Sequence, residues 1–388
     1  MRFDQKEPIR LGELVSINKR SYNPRKNWGF INYLDTGNIT ENIIDEIKFL
    51  EPNIDKIPSR ARRIVEENDI IFSTVRPNQR HYGLIEVPLE NMLVSTGFAV
   101  LTPKESIVDS KYLYYYLTQD NIIKLLHSIA EQSTSAYPSI RPIDLQNLEI
   151  VLPCMNIQRQ VANTLSCLDK KIELNNKINE NLEQQAQAIF KNWFVDFEPF
   201  QDGKFVESEL GMIPEGWNTG TFGDIAEVSS GKRPKLKEDI PTQKIKVPIV
   251  GASQVMGYTN EFLFKEKILI TGRVGTHGIV QRFNTACWPS DNTLVIKSEF
   301  YEFAYQVMNS FNYSALNRGS TQPLITQTDI RNQIVVIPPI DVLEEFEDLI
   351  QTLMALRSKQ ISQNVVLAKL RDTLLPKLMS GEIEVPVE

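Results

Sequence analysis

Cysteine and histidine are scarce in this 388-residue chain, three of each, and the scarcity excludes whole classes of chemistry. Cys154, Cys167 and Cys287 are odd in number and include no CxxC pair, so they read as reduced thiols rather than a disulfide framework or a zinc site. His81, His127 and His277 stand far apart, without the spacing of metal ligands. Long apolar runs are also missing. The longest, such as 70–72 and 334–337, are strand-sized, so no membrane partner is expected. Residues 1–7 lack the apolar stretch of a secretory signal, and a cytoplasmic location is expected. An adenine methyltransferase needs an Asn/Asp-Pro-Pro-aromatic loop to hold its base; Asn23-Pro24-Arg25 and Glu198-Pro199-Phe200 do not supply one. Gly272-Arg273-Val274-Gly275 is too short for a phosphate loop and has no following Lys-Ser/Thr pair. Scattered carboxylates leave a nuclease cluster as the one catalytic alternative; otherwise no catalytic residue, metal or cofactor of its own is expected.

Excess positive charge, the usual mark of a nucleic-acid partner, is absent as well: the net charge is −7. Its distribution changes the reading. Lys plus Arg against Asp plus Glu stands at 18 to 20 in residues 1–150 and 13 to 13 in 206–336, so most of the deficit lies elsewhere. Near-neutral lobes can carry local basic faces, whereas a field of the histone type is excluded. Weak DNA binding by the chain alone, tightened by a partner, is the expectation.

What the chain does have is an internal repeat. Ser135-Ala-Tyr-Pro-Ser-Ile-Arg-Pro-Ile-Asp-Leu aligns with Ser320-Thr-Gln-Pro-Leu-Ile-Thr-Gln-Thr-Asp-Ile. Pro138 then meets Pro323, Asp144 meets Asp329 and Pro153 meets Pro338, all at an offset of 185. The register continues through Leu168/Leu353, Leu182/Leu367 and Ile189/Leu374. Near the start of each copy, Leu11-Gly-Glu-Leu matches Phe222-Gly-Asp-Ile at an offset of 211, so the first copy carries extra loop residues.

Each copy reads as short strands and helices followed by one long helix. Strands are predicted over 69–75, 92–101, 148–152, 267–270, 293–296 and 333–337, and shorter helices over 109–131 and 301–316. The order suggests mixed α+β lobes rather than a doubly wound sheet. In the first long helix, from Val161, the residues Leu165, Leu168, Ile172, Asn175, Asn179, Leu182, Ala186, Ile189 and Trp193 follow 4-3 spacing. In the second, Phe346, Leu349, Leu353, Leu356, Gln360, Gln363, Leu367, Leu370 and Leu374 follow the 3-4 phase. Both read as coiled-coil seams with a polar interruption, paired antiparallel under a pseudo-twofold repeat. Two unrelated amphipathic helices are the plainer alternative. A helix over 157–193 would span roughly 55 Å at about 1.5 Å per residue. Lobes held ~35–55 Å apart would sit about 10–16 base pairs apart on DNA rising about 3.4 Å per pair.

The chain resembles the specificity subunits of type I restriction–modification systems over nearly its whole length. Asn68-Asp-Ile-Ile-Phe-Ser-Thr-Val-Arg-Pro-Asn-Gln-Arg is similar to the family's strand-and-loop GDIxxSxxRP pattern. Pro248-Ile-Val-Gly-Ala-Ser, Gly272-Arg-Val-Gly-Thr-His-Gly and Trp288-Pro-Ser-Asp-Asn-Thr resemble its other common recognition-domain type. Ile189-Phe-Lys-Asn-Trp-Phe-Val-Asp-Phe and Leu370-Arg-Asp-Thr-Leu-Leu-Pro-Lys-Leu-Met-Ser-Gly-Glu-Ile are similar to its helical regions. One departure is that the family's Glu-Gln pair at the helix starts is Ile157-Gln158 and Leu343-Glu344 here. The resemblance implies two α+β target-recognition domains, residues 1–153 and 206–338, with helical parts 154–205 and 339–388. It implies a non-catalytic reader of a bipartite double-stranded DNA target. Two methylation subunits and two restriction subunits are the implied partners, with S-adenosylmethionine, Mg and ATP on those partners only.

Base readout favours Arg and amide side chains at loop tips, and phosphate contact favours Lys and Arg. In the first lobe Arg76, Asn78, Gln79, Arg80, His81 and Tyr82 follow a strand and form the best cluster; a solvated polar loop is the alternative. Arg60, Arg62 and Arg63 suit phosphate, or else a salt-bridge network with Glu66 and Glu67. In the second lobe Arg273, Thr276 and His277 lie on glycine-flanked backbone that permits close approach. Lys232, Arg233 and Lys235 form a basic cluster, and Asn292 suits either a base or an Asx turn. Ser135 and Tyr137, with Arg318 and Gln322 at similar places in the second copy, complete the set. Trp193, Phe194 and Phe197 either pack the helices or dock the methylation subunits. A coiled-coil protein-binding adaptor would explain the helices but not the duplicated basic loops; a stand-alone methyltransferase or nuclease lacks its motifs.

Overall fold

The computed structural model describes residues 7–23, 25, 28–133, 137–318 and 324–386. The chain divides into two compact units, Met1–Leu174 with Gln363–Glu388, and Asn175–Ser362. Two 40-residue helices, Met155–Phe194 and Ile340–Met379, each give one part to each unit. The fold is mixed α+β, as the order of predicted elements suggests.

In the first unit an antiparallel sheet runs Val15–Ile17, Phe98–Pro103, Asp69–Ser73, Tyr82–Ile85. A second sheet runs Lys48–Leu50, Ile31–Leu34, Met92–Ser95, Ala61–Ile64, with a parallel central pair. Every residue of Asp69–Ser73 is buried because both faces of its strand are covered. Ile70 and Phe72 face the core that contains the helices Ser110–Leu117 and Asp120–Glu131, and Ile71 faces the core shared with Leu34 and Val94. A strand alternates its side chains, so two cores need two apolar sets in one uninterrupted run.

The second unit repeats this plan. Its antiparallel sheet runs Glu227–Ser230, Thr293–Lys297, Ile268–Gly272, Gln281–Phe283. Leu269 points to the helical core and Ile268 and Ile270 point to the other side. Val247–Val250 pairs parallel with Trp288–Pro289, as the equivalent strands do in the first unit. The repeated aspartates have a shared purpose. Asp144 accepts the backbone N–H of Arg141 at 2.7 Å, and Asp329 accepts that of Thr326 at 2.8 Å, each closing a capping box on a five-residue helix.

Several expectations need correction. The predicted strand 92–101 is two strands, Met92–Ser95 and Phe98–Pro103, in different sheets, and the predicted helix 301–316 is two helices, Tyr301–Ser310 and Tyr313–Leu316. The predicted helix 109–131 is broken at Thr118-Gln119, where the Thr118 hydroxyl donates to the Tyr115 carbonyl and the Gln119 amide to that of Tyr116. Those side-chain bonds satisfy the helix end, and the chain restarts at Asp120. In the second long helix Leu349, Leu356 and Leu370 are 41–44% exposed, so they do not lie in the seam. The less exposed positions include one continuous series, Phe346, Ile350, Leu353, Arg357, Gln360, Asn364, Leu367, Arg371, Leu374 and Leu378. That is the 4-3 phase of the first helix, carried over at the offset of 185. The 3-4 expectation holds at Phe346, Leu353, Gln360, Leu367 and Leu374 and fails at the positions between them, where it passes over two arginines that the fold pairs. Arg371 meets Asp169 at 2.8 Å within the first unit, and Arg357 lies 3.7 Å from Glu183 within the second. In the first helix Leu168 and Ile172 are half-buried, as is Ile189, while Asn175 and Leu182 are buried.

Candidate nucleic-acid interface

In the first unit the chain leaves Asp69–Ser73, forms the loop 74–81 and returns as Tyr82–Ile85. Backbone hydrogen bonds stitch this loop into a rim. The N–H of Thr74 donates to Gly97 at 2.8 Å, that of Ile140 to Thr74 at 2.8 Å, and that of Arg76 to Pro138 at 2.9 Å. The N–H of Thr96 donates to Arg60 at 2.9 Å, which brings Arg60, in the turn before the strand Ala61–Ile64, to the same rim. Arg76, Asn78 and Gln79 are exposed on this rim, as are Arg60 and Tyr137. Arg76 and Arg80 have φ of 47° and 57°, a left-handed backbone that costs a non-glycine residue on the order of 1 kcal/mol and persists only where its surroundings impose it.

The second unit builds the same rim from different residues. Val75 bridges Ser139 in the first unit, and Val274 bridges Leu324 in the second. The N–H of Ile325 donates to Arg273 at 2.9 Å, as that of Ile140 does to Thr74. Here glycine supplies the positive φ, at Gly275 and Gly278. The N–H of Arg273 donates to Asn292 at 2.8 Å, that of Lys232 to Pro289 at 3.0 Å, and that of Arg318 to Leu324 at 3.1 Å. Four predicted residues far apart in sequence therefore share one edge. Gly231 and Gly272 are required by space: a Cβ on Gly231 would overlap the carbonyls of Pro289 and Ser290, and one on Gly272 that of Thr276. Arg233, Lys235 and Thr276 are exposed beside this edge.

Other predicted residues are committed elsewhere. Tyr82 is 4% exposed and stacks on Phe72 in the core, because the first residue of the returning strand points inward. Arg80 pairs with Glu41 and Asp120, so its charge is already met. His81 donates from Nδ1 to the Ile39 carbonyl at 2.6 Å, since a carbonyl can only accept. His277 has a buried Nε2 with no hydrogen-bond partner among the described residues. Arg62 and Arg63 are half-buried, and Glu66 pairs with Arg20 instead of with them. Arg318 pairs with Asp329; burial raises that carboxyl's pKa, but hydrogen bonds from Thr326 and the arginine charge bring it below its ordinary value. Ser135 and Gln322 lie outside the described residues.

The aromatic group at the end of the first long helix is core. Phe194 is 5% exposed, with ring centroids of Phe303 and Phe346 both at 4.9 Å, and half-buried Trp193 and Phe197 pack against the same cluster. These residues do not form an open docking surface. The second long helix leaves apolar residues exposed, Ile340, Leu349, Leu356 and Ile361 in the second unit and Val365, Val366 and Leu370 in the first. Sequence reasoning also missed a set of charged residues inside the units: Arg282, with Glu183 and Glu302, and Arg371 with Asp169 and Tyr115. Charged residues on a helix or strand read as solvated by default, and nothing in their spacing marks them as partners. Among the described residues no cluster of His, Cys, Asp or Glu is placed to hold a metal, and no helix is long and apolar enough to cross a membrane.

Comparison with known proteins agrees with this architecture. The pattern of the type I restriction modification DNA specificity domain matches residues 4–184 and again 214–364. The MjaIX specificity subunit of Methanocaldococcus jannaschii is 30% identical over 352 residues, 83% of this chain and 79% of that one. The HindI specificity subunit of Haemophilus influenzae is 25% identical over 466 residues, 96% of this chain and 98% of that one. The crystal structure of the S subunit of a type I restriction–modification system from M. genitalium superposes with a TM-score of 0.56 at 16% identity, covering 97% of this chain and 98% of that one, a likeness of fold. With the domain present twice in one chain, this protein belongs to the type I restriction–modification DNA specificity family.

Proposed function

We propose that the chain is the non-catalytic DNA-reading subunit of a cytoplasmic type I restriction–modification complex, with one lobe for each half of a bipartite target. The observation that carries this reading is the duplicated rim. Val75–Ser139 and Val274–Leu324 are the same bridge in two units, and each holds a loop bearing arginine and amide or hydroxyl side chains at the end of the same sheet. A shared scaffold with different loop residues is what two different half-sites require. Residues 1–153 and 206–338 are the two recognition domains in this reading. In the first, Arg76, Asn78 and Gln79 read bases beside Tyr137, and Arg60 meets phosphate; in the second, Arg273, Thr276 and Asn292 read bases, and Lys232, Arg233 and Lys235 meet phosphate.

With a net charge of −7 the chain alone has little general attraction for DNA, so its partners supply part of the affinity. Two methylation subunits and, in the nuclease form, two restriction subunits would bring S-adenosylmethionine, Mg and ATP. The exposed leucines of the second long helix, Leu349 and Leu356, suit a docked helix better than the buried Phe194 does. Co-expression with the methylation subunit in a methylation-free host, followed by genome-wide mapping of N6-methyladenine, tests the reading. A two-part motif with one fixed gap is the expected outcome; a contiguous motif, or association without any mark, would overturn it.

A further inference from the structure

Inside the second unit, four elements meet on one arginine. Arg282 lies on the strand Gln281–Phe283, which returns from the loop bearing Arg273 and Thr276. It donates to Glu183 of the first long helix at 2.6 Å and to Glu302 of the helix Tyr301–Ser310 at 2.8 Å. Its guanidinium carbon lies 3.4 Å from the ring centroid of Tyr305, and Arg357 of the second long helix stands 3.7 Å from the same Glu183 oxygen. The side chains of Arg282, Glu183 and Glu302 are 15%, 17% and 6% exposed.

A buried ion network of this kind is a poor source of stability, because apolar side chains of similar volume do as well or better. What it supplies is direction. Apolar surfaces tolerate sliding, whereas a planar guanidinium held by two carboxylates and a ring admits one orientation. We infer that Arg282 is a positioning residue: it fixes the angle of the second lobe's sheet on the helix segments of its own unit, and so sets where along the duplex the second half-site is read. The first unit ties its two long-helix segments with Arg371 and Asp169, but among the described residues no arginine reaches them from the returning strand. Its equivalent strand position is Leu84, packed on the apolar core.

This inference rests on the bipartite-reader function proposed above, and its test separates the two. The chain is co-expressed with its methylation subunit, and N6-methyladenine is mapped for wild type, Arg282→Met and Arg282→Lys. The expected result for Arg282→Met is that both half-site sequences persist while a second gap length, one base pair longer or shorter, takes at least a tenth of the marks. Arg282→Lys keeps one ion pair and restores most of the single gap. A merely structural role would lower all marks together and leave the gap unchanged. Because Arg282→Met leaves two buried carboxylates facing each other, a triple variant adds Glu183→Leu and Glu302→Leu; thermal melting checks its fold, and its gap should be broadened as well. A folded variant lacking Arg282 with the single wild-type gap overturns the inference, and so does failure of both variants to fold, which would assign the network to stability. A wild-type chain that leaves no two-part mark removes the reading itself and this inference with it.

Discussion

Arg76 holds its guanidinium carbon 5.0 Å from the ring centroid of Tyr137, and both side chains are exposed at the rim of the first lobe. The ring orients a planar donor set outward, and Tyr137 is 60% exposed, so the pair can meet a duplex without unfolding anything. Arg76→Ala should weaken target binding by about 1–3 kcal/mol and relax discrimination at one position of one half-site. Arg76→Lys keeps the charge but not the plane, and should restore affinity without restoring discrimination. Competition binding by the assembled complex against single-base target variants, at one fixed salt concentration, measures both. Uniform loss across all sequences would reassign Arg76 to phosphate.

In the second lobe the sensitive position is a glycine. A methyl at Gly272 would overlap the Thr276 carbonyl, which is backbone and cannot swing aside. Gly272→Ala should therefore displace the loop that carries Arg273 and Thr276 while leaving the core strands Ile268–Gly272 and Thr293–Lys297 paired. The expected result is loss of methylation at the bipartite target with a melting temperature lowered by only a few degrees. Gly29→Ala, where the added carbon meets nothing within 4 Å among the described residues, should be silent. An active Gly272→Ala variant would show that this loop does not need its present shape.

The contrast between these two loops explains how much of the site was legible in sequence. Duplication aligned Asp144 with Asp329 at the offset of 185, and the fold gives both the same capping role, whereas the equivalence of Thr74 and Arg273, 199 positions apart, emerges only from the hydrogen bonds of Ile140 and Ile325. Tyr82 was misread because a strand's first inward side chain looks the same in sequence as the last outward residue of a loop. The seam of the second helix was misread for a related reason. Leu356 and Arg357 are adjacent, and hydrophobicity alone selects the leucine; only Glu183, brought close by the fold, explains why the arginine faces inward. Ion pairs between residues more than a hundred positions apart leave no local signature.

Phe194, which the sequence offers for either packing or docking, is core, and Leu356, which it places in the helix seam, is exposed. Phe194→Ala removes a ring packed on Phe303 and Phe346 and should cost about 3–5 kcal/mol, seen as an early melting transition of the isolated chain. Leu356→Ser changes an exposed position and should leave melting within about 0.5 kcal/mol of wild type. The same substitution should weaken co-purification of the methylation subunit, and Leu349→Ser should add to it. Intact assembly with both leucines replaced would move the docking surface elsewhere.

Glu347 gives the second unit an unusual dependence on pH. Burial, with the nearby Glu302 carboxyl, pushes it up to about 7 from an ordinary value of 4.5, although it accepts the N–H of Phe303 at 2.8 Å. Between those values the folded chain holds a proton that the unfolded chain has released. Stability from this group is therefore fully present below about pH 4.5 and is lost as pH rises towards 7, by up to about 1.4 kcal/mol per unit. Asp144 and Asp329 act in the opposite sense, held below their ordinary value, and lose their contribution as acid protonates them. Melts of wild type and Glu347→Gln between pH 5 and 8 should converge at the acid end and separate at the alkaline end, with the glutamine variant more stable. Parallel curves would mean that Glu347 is ionised throughout.

The corrected seam makes a final test possible on the long helices. Both follow one 4-3 phase, so a seven-residue insertion after Asn175 and another after Gln360 keep every seam residue on its own face. Each insertion lengthens its helix by ~10 Å at about 1.5 Å per residue, equal to about three base pairs of duplex. The mapped target should keep both half-site sequences and gain about three unspecified base pairs between them. Two-residue insertions at the same points turn each helix by about 200° and carry the seam to the opposite face, and should abolish methylation altogether. A heptad variant that is active with an unchanged gap would show that the helices do not set the spacing, whatever else they hold in place.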